Sequence, residues 1–332
     1  MKIAIVGSGI SGLSSAYYLS KKHQVDLFEK EDHFGGHSHT IDLNLDTKKV
    51  SVDIGFIVFN YKTYPNLINF FQENKIEIEK SDMSFSVSVE NTKFEYCGRG
   101  LNGIFSNKLN LFNFKFLRMF FDIISFYKKC DNLKNFDQTI TLGEYLLKNK
   151  LSKEFINYHL IPMVSAIWSM PPYEANKMPL KFFLNFFQNH GLFKLKDRPQ
   201  WYTVANRSRT YVQKIISKLS GEHYKNYAVK KIVSKSSGVD LYYGGESELF
   251  NYDKVVLATH ADEALSIIEN PSQDEKEILS NFSYKENFAY IHTDQKAMPK
   301  NKNAWSSWNS LMDKNNVEKN SITYWLNLLQ NL

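Results

Sequence analysis

The sequence predicts an α/β fold built on a Rossmann-like βαβ unit at its start. Three observations lead to this prediction: a short apolar strand opens the chain, glycines follow it, and a second strand ends in an acid. Residues 3–6 are apolar and mostly β-branched, which is typical of a strand buried on both faces. Residues 13–21 then follow a helical pattern, so the glycines stand at a strand-to-helix turn.

The spacing of these glycines predicts a phosphate-binding turn. Gly7 permits a tight turn, Gly9 leaves no side chain between the backbone and a pyrophosphate, and Gly12 lets the helix pack closely on the strand. The helix N-terminus adds unpaired N–H groups and the positive end of a dipole. We expect this turn to bind a cofactor through Gly7, Ser8, Gly9, Ile10, Ser11 and Gly12.

The second strand, residues 24–28, ends at Glu29. A carboxylate at this position accepts hydrogen bonds from a ribose diol, whereas a 2′-phosphate calls for a basic residue. The acid therefore argues against NADP. The alternative is a glycine turn and a surface glutamate with no ligand, which the complete strand–turn–helix–strand context disfavours.

A glycine pair, Gly35-Gly36, follows this strand, and the sequence Val-Asp-Ile-Gly stands at 52–55. This arrangement resembles the flavin-dependent amine oxidase and carotenoid desaturase superfamily, in which the strand-end Glu and a following glycine pair close over FAD. The resemblance implies non-covalent FAD held by Glu29, Lys30, Gly35, Gly36 and His37. Plain NAD dehydrogenases do not usually carry this glycine pair after the second strand.

Further segments resemble a bacterial group of amine-oxidase-like proteins predicted to bind NAD or FAD; they are residues 52–60, 161–169, 208–212, 255–262, 292–294 and 304–309. The resemblance implies that Val229 contacts the adenine through its backbone and that Arg209 lies near the cofactor, with a surface salt bridge as the alternative. Ala258 and Thr259 would end a strand at the ligand-binding edge of the sheet. Such proteins normally continue further, so we expect a C-terminal flavin-contacting part to be missing.

With 332 residues, the chain is expected to form two domains. The fold expected from the resemblance is a glutathione-reductase-type, amine-oxidase-like FAD-binding domain at 1–80 and 200–270, with a largely helical substrate domain at 81–199 and 271–332. Strands are predicted at 227–233, 239–243, 250–258 and 284–293, with a hairpin turn at Gly244-Gly245. Thr141 and Glu144 predict a capping box.

Composition limits the function classes. The net charge is +6, but the lysines are interleaved with acids and no nucleic-acid motif is present, so no nucleic-acid partner is predicted. Two cysteines without paired spacing indicate neither a disulfide framework nor a zinc site, which favours the cytoplasm. An amphipathic helix is predicted within 109–127. It packs in its own domain, or it is a substrate-entry helix or one that contacts the inner face of the membrane.

Three histidines cluster around the glycine pair: His33, His37 and His39. A His-x-His pair can bind metal, but relatives commonly carry Arg where His37 stands. A polar group near the cofactor is therefore the better interpretation, and no metal site is predicted. We call the segment around the glycine pair the crossing, and Asp53 is expected to brace it.

In a flavin enzyme the isoalloxazine carries out the redox step, so the resemblance calls for a dry, apolar cleft rather than a catalytic triad. Candidate cleft residues are Trp168, Trp305, Trp308, Tyr324 and Trp325, with His292 as the titratable group; each is also a candidate for ordinary core packing. The expected reaction moves a hydride from a C–H bond of an amine or lipid-like substrate to flavin N5. The alternatives are an NAD-dependent dehydrogenase and a truncated, non-catalytic dinucleotide-binding fragment.

Overall fold

A computed structural model describes residues 1–45, 48–92, 94–244, 248–316 and 320–332. The strands are β1 (Lys2–Val6), β2 (Gln24–Phe28), β3 (Thr40–Leu45), β4 (Lys48–Asp53), β5 (Phe59–Asn60), β6 (Ile78–Ser81), β7 (Phe85–Val89), β8 (Glu95–Cys97), β9 (Trp201–Val204), β10 (His223–Tyr224), β11 (Val229–Lys235), β12 (Gly238–Tyr243), β13 (Glu248–Tyr252), β14 (Lys254–Leu257), β15 (Trp308–Met312) and β16 (Asn320–Tyr324).

The α-helices are α1 (Ile10–Ser20), α2 (Pro65–Glu73), α3 (Gly100–Ile104), α4 (Phe114–Asp131), α5 (Leu142–Lys148), α6 (Lys153–Phe155), α7 (Ile161–Trp168), α8 (Pro172–Lys177), α9 (Leu180–Asn189), α10 (Ser208–Ile216), α11 (Ala261–Ile267), α12 (Gln273–Leu279) and α13 (Leu326–Leu329). A π-helix spans Ile156–Leu160, and 3-10 helices span Lys108–Phe112, Gln295–Ala297 and Lys302–Ala304.

The chain divides into two compact units, and both are discontinuous in sequence. The first contains Met1–Ile57, Asn66–Glu79 and Val204–Asn287; the second contains Val58–Pro65, Lys80–Thr203 and Phe288–Leu332. Residues 271–287 belong to the first unit, whereas the sequence predicts them in the largely helical substrate domain. The division into a cofactor domain and a substrate domain stays a prediction.

The first unit is built on a parallel sheet with the strand order β10-β2-β1-β14. Ala4 pairs with Asp26 on one side and Val255 on the other, so β1 is a central strand. Its residues 3–6 are buried, which explains why they are almost entirely apolar. The predicted α/β fold with a Rossmann-like unit is confirmed.

An antiparallel sheet with the order β11-β12-β13 packs on the parallel one. Ala4, Val6 and Phe28 of the parallel sheet share an apolar cluster with Val229 and Ile232. The predicted strand 250–258 is wrong in one respect, because it is two strands that belong to different sheets. Between them, the N–H of Asp253 donates to the carbonyl of Lys2 at 2.9 Å. Gly245 of the predicted hairpin lies outside the described residues.

The second unit combines helices with a sheet ordered β16-β15-β7-β8. Its core is rich in phenylalanine, including Phe116, Phe155 and Phe183. The capping box of α5 is confirmed: the side chain of Thr141 accepts from the N–H of Glu144, whose carboxylate accepts from the N–H of Thr141. The helix predicted within 109–127 is interrupted at Asn113, whose side chain caps α4.

The strand predicted at 284–293 is wrong, because this segment has no regular secondary structure. Its aromatic side chains are not buried: Phe288 is 73% and Tyr290 is 83% exposed. A strand needs a neighbouring strand and a buried face. Within the described residues, 284–293 takes part in no strand pairing.

No helix of the described residues combines the length and apolar character that crossing a bilayer requires. No group of three or more His, Cys, Asp or Glu side chains in that part of the chain is arranged to hold a metal ion.

The core of the second unit contains a hydrogen-bonded group of side chains centred on His159, which lies in the π-helix. The hydroxyl of Tyr127 is 2.8 Å from Nε2 of His159, and that of Tyr96 is 2.8 Å from Nδ1. Because Tyr96 donates to the carbonyl of Tyr158, Nδ1–H donates to Tyr96 and Nε2 accepts from Tyr127. Burial, and secondarily the charge of Arg198, lowers the pKa of His159 to about 3.

This buried histidine predicts acid sensitivity of the second unit. Its pKa is depressed from 6.5 in the unfolded chain, so its contribution to stability is complete above pH 6.5 and is lost as the pH falls towards about 3. At pH 5 we expect a loss of about 2 kcal/mol in the free energy of unfolding. Tryptophan fluorescence during urea unfolding measures it, because Trp168, Trp201, Trp305, Trp308 and Trp325 all belong to the second unit.

The variant His159→Gln should be less stable at pH 7 but should lose this pH dependence between pH 7 and 5. His292→Gln is the matched control, because His292 is exposed. An unchanged slope in His159→Gln would show that another group titrates.

Candidate dinucleotide-binding site

The first glycine turn is closed by backbone contacts that exclude side chains. Gly7 has φ +97°, and its N–H donates to the carbonyl of Phe28 at 2.9 Å. A Cβ atom on Gly7 would stand 2.7 Å from the carbonyl oxygen of Ala258, and one on Gly12 would stand 1.8 Å from that of Gly7. Gly7 and Gly12 are therefore required by packing, as the sequence predicts.

Gly9 has a different role. A Cβ on Gly9 would meet nothing within 4 Å, and its φ of −61° suits any residue. Packing therefore does not require a glycine there, whereas close approach of a ligand does. Gly9 is the N-cap of α1 and provides no side-chain cap. The N–H groups of Ile10 and Ser11 belong to the first turn, where N–H groups have no partner within the helix.

The glycine pair lies directly against this turn. A Cβ on Gly36, where φ is +54°, would stand 3.0 Å from Cα of Gly9. The N–H of Gly35 donates to Oγ of Ser8 at 3.0 Å. The two glycine segments, separated by strand β2, therefore form one backbone-lined cradle.

Glu29 joins both segments. Its Oε2 accepts from the N–H of Ser8 at 3.0 Å and from Oγ of Ser8, which in turn accepts from Gly35. Its Oε1 accepts from the N–H of Glu31 at 3.1 Å. A carboxylate oxygen has two lone pairs, so Oε1 can accept a further bond from a ribose hydroxyl. The buried carboxylate fits both a structural and a ligand-binding role.

His37 is exposed and follows the glycine pair. Its carbonyl accepts from the N–H of Phe56 at 2.7 Å, and a Cβ on Gly55 would stand 2.1 Å from that oxygen. The Val-Asp-Ile-Gly sequence thus packs against the crossing at its glycine. The ring of His37 stacks on His260, which stacks on Tyr284 with ring centroids 4.2 Å apart.

The other two histidines of the cluster stack on each other, with the ring centroids of His33 and His39 3.9 Å apart. Burial, and secondarily the charge of His33, lowers the pKa of His39. The three histidine rings therefore belong to two separate stacks, His33 with His39 and His37 with His260.

The crossing is anchored to α10 through Asp53. Its Oδ1 accepts from Oγ1 of Thr40 at 2.5 Å and from Oγ of Ser208 at 2.7 Å, and its Oδ2 accepts from the N–H of Ser208 at 2.9 Å. Arg209 forms an ion pair with Asp42 at 2.8 Å, the alternative considered from the sequence. Asp53 braces the crossing as expected.

Two side-chain roles in this region are not predicted from the sequence: the bridging role of Ser8, which is expected there only as one residue of the turn, and Tyr211, whose hydroxyl bonds Oγ of Ser38. Burial raises the pKa of Tyr211 to about 12. For Ser8, the position between two glycines is the one sequence feature that indicates its role; for Tyr211 there is none.

The remaining cofactor candidates lie around the same edge of the parallel sheet. The N–H of Ala258 donates to the carbonyl of Val6 at 2.8 Å, which places Ala258 and Thr259 beside Gly7. Val229 is buried at the start of β11, and the nearby N–H of Tyr227 donates to the carbonyl of Glu29 at 2.8 Å. Lys30 is exposed and pairs with Glu263 at 2.6 Å.

The candidate cleft residues belong to the second unit and form separate ring contacts. Trp168 packs against Phe186 with ring centroids 4.6 Å apart, Trp305 against Trp325 at 5.2 Å, and Trp308 against Tyr324 at 5.3 Å. The hydroxyl of Tyr324 donates to the carbonyl of Ala166 in α7 at 3.2 Å. His292 is exposed and accepts from the N–H of Asp294. Their catalytic role stays a prediction.

Comparison with known proteins agrees with this geometry. Residues 5–73 match the NAD(P)-binding Rossmann-like domain. The chain is also 44% identical, over 69 residues, to a 1-hydroxycarotenoid 3,4-desaturase from Flavobacterium sp. (strain P99-3); this match covers 20% of the chain and 13% of the desaturase.

Solved structures resemble most of the chain. An oxidoreductase from Methanosarcina mazei matches with a TM-score of 0.57 and 18% identity over 85% of this chain and 64% of that protein. Putrescine oxidase bound to putrescine matches with a TM-score of 0.60 and 16% identity over 84% and 63%. A CLA-producing fatty acid isomerase from P. acnes matches with a TM-score of 0.57 and 15% identity over 84% and 63%.

These likenesses show that the chain shares its fold with these proteins, as the predicted resemblance implies. The chain spans somewhat less than two thirds of the length of the three structures.

The different roles of two glycines give a test of the cradle. Gly12→Ala should lower the free energy of unfolding by about 3 kcal/mol or more, because its methyl group overlaps a backbone oxygen. Gly9→Ala should leave stability unchanged and weaken dinucleotide binding on the order of 10-fold, because its methyl group occupies the space that a pyrophosphate would use. Thermal melting by circular dichroism and fluorescence titration with FAD measure the two effects. Equal dinucleotide affinity in Gly9→Ala and the parent would contradict this assignment.

Proposed function

We propose that the chain is an FAD-dependent oxidoreductase of the amine oxidase or desaturase type. The observation that carries the proposal is the approach of Gly36 to Gly9, which merges the glycine turn and the glycine pair into one cradle. The fold likeness to putrescine oxidase supports the same class. The glycine pair Gly35-Gly36 supports FAD in place of NAD, because the resemblance associates this pair with flavin proteins.

The residues of the cradle fit FAD. The N-terminus of α1 would bind the pyrophosphate, and Glu29 would bind the adenosine ribose through Oε1. Ser8 holds Glu29 and Gly35 in register, and the lack of side chains at Gly9 and Gly36 would let a pyrophosphate approach the backbone. His37 is exposed beside the glycine pair and would add a polar contact.

FAD, when bound, supplies the acceptor for a hydride from a substrate C–H bond at flavin N5. The chain's own residues bind the cofactor and exclude water from the substrate. The aromatic side chains of the second unit, Trp168, Trp305, Trp308, Tyr324 and Trp325, are proposed to line an apolar substrate cleft. The substrate is an amine or a lipid-like chain such as an unsaturated acyl group or a carotenoid precursor.

Cofactor content tests the proposal directly. The purified protein should show a flavin absorption spectrum, and heating should release a compound with the mass of FAD because no covalent link is expected. A colourless protein that binds NAD with higher affinity than FAD would replace the proposal with an NAD-dependent dehydrogenase. Anaerobic bleaching by amines, unsaturated acyl lipids and carotenoid precursors then tests the substrate class.

Gly36→Ala should weaken FAD binding about 10-fold or more, because its methyl group would push against the backbone of Gly9. Gly100→Ala is the matched control, since Gly100 also has a positive φ, +68°, but has nothing within 4 Å of an added Cβ. Each substitution carries a backbone strain of about 1 kcal/mol. Only Gly36→Ala should change the dissociation constant measured by flavin fluorescence. Equal losses in both variants would mean that strain, rather than the cradle, governs binding.

A further inference from the structure

An unpartnered apolar surface lies at the start of α4 in the second unit. It consists of the exposed apolar side chains Leu109, Leu111, Phe112, Phe114 and Phe121, together with the exposed Arg118. We call it the Phe112 surface. Phe112 is 88% exposed and Phe114 is 82% exposed, on either side of the helix cap Asn113. Two phenylalanines so exposed to water, separated by one residue, are unfavourable, which marks this surface for a contact.

The core of the unit does not need these side chains. The buried face of α4 is formed by Phe116, Met119, Ile123 and Tyr127, which recur at helical spacing. Phe114, Arg118 and Phe121 recur at i, i+4 and i+7 on the opposite side of the same helix. The helix therefore has an apolar stripe for its own core and a second, outward one that contains a cation.

The segment that carries the Phe112 surface is basic. Lys108, Lys115 and Arg118 are exposed, and the sequence contains no acid from Gly100 to Phe121. The neighbouring acids are engaged: Glu154 lies 3.7 Å from Lys115, and Asp122 accepts from the N–H of Ser152 at 3.0 Å. Exposed rings among cations complement a bilayer with anionic headgroups.

We propose that the Phe112 surface docks the protein on an anionic lipid bilayer. Phe112 and Phe114 insert at the boundary between headgroups and acyl chains, while Lys108 and Arg118 contact lipid phosphates. A second copy of the chain is a poorer occupant, because pairing this surface with itself brings like charges together. The proposal does not depend on the bound cofactor.

Flotation of the full chain with vesicles tests this docking. The protein should float with phosphatidylcholine vesicles that contain phosphatidylglycerol and bind weakly to pure phosphatidylcholine. F112S/F114S should reduce the partition coefficient about 10-fold or more through lost insertion. K108E/R118E should reduce it about 10-fold or more and abolish the preference for phosphatidylglycerol.

Matched controls come from the same unit. L147S/F288S also removes two exposed apolar side chains, 77% and 73% exposed, and K134E/K196E reverses two exposed lysines. Both controls should float like the parent. The proposal is overturned if the parent protein binds neither vesicle, or if the controls lose binding as much as the surface variants. It is also overturned if F112S/F114S only converts a dimer into a monomer in sedimentation velocity.

Discussion

The cofactor cradle depends on one three-way contact, in which Oγ of Ser8 donates to Glu29 and accepts from Gly35. This contact links the first turn, the end of β2 and the glycine pair. Its members are buried, so each hydrogen bond that is lost would leave an unsatisfied polar group. The residue after Gly35, Gly36, lies against Gly9 of the same turn.

The cradle could be predicted from sequence only where its signal is local. Gly7, Gly9 and Gly12 stand at a fixed spacing inside one turn, so their roles follow from backbone geometry alone. The distances of an added Cβ agree with the packing roles predicted for Gly7 and Gly12, whereas the ligand-binding role of Gly9 stays a prediction. The sequence could not show which backbone oxygens come close to these glycines, because that is a property of the folded unit.

Long-range partners explain most of what the sequence analysis missed. Ser208 and Tyr211 lie far along the chain from the residues they bind, and a serine or tyrosine in an amphipathic helix carries no signal of such a bond. The segment 250–258 illustrates the same limit. Its apolar run is continuous, yet the backbone contact of Asp253 with Lys2 divides it between an antiparallel and a parallel sheet.

Helix α4 shows why apolar periodicity alone does not determine burial. The pattern of 109–127 predicts one amphipathic helix, and Phe116, Met119 and Ile123 do pack inward. Phe114 and Phe121 are equally apolar but lie on the other side, so a count of apolar residues cannot separate them. The difference follows from phase: residues that share the period of 3.6 but are offset by half a turn face away from the core. Phe114 and Phe121 thus give α4 an exposed apolar side that its own core does not use, and this is the side to which we assign the membrane contact.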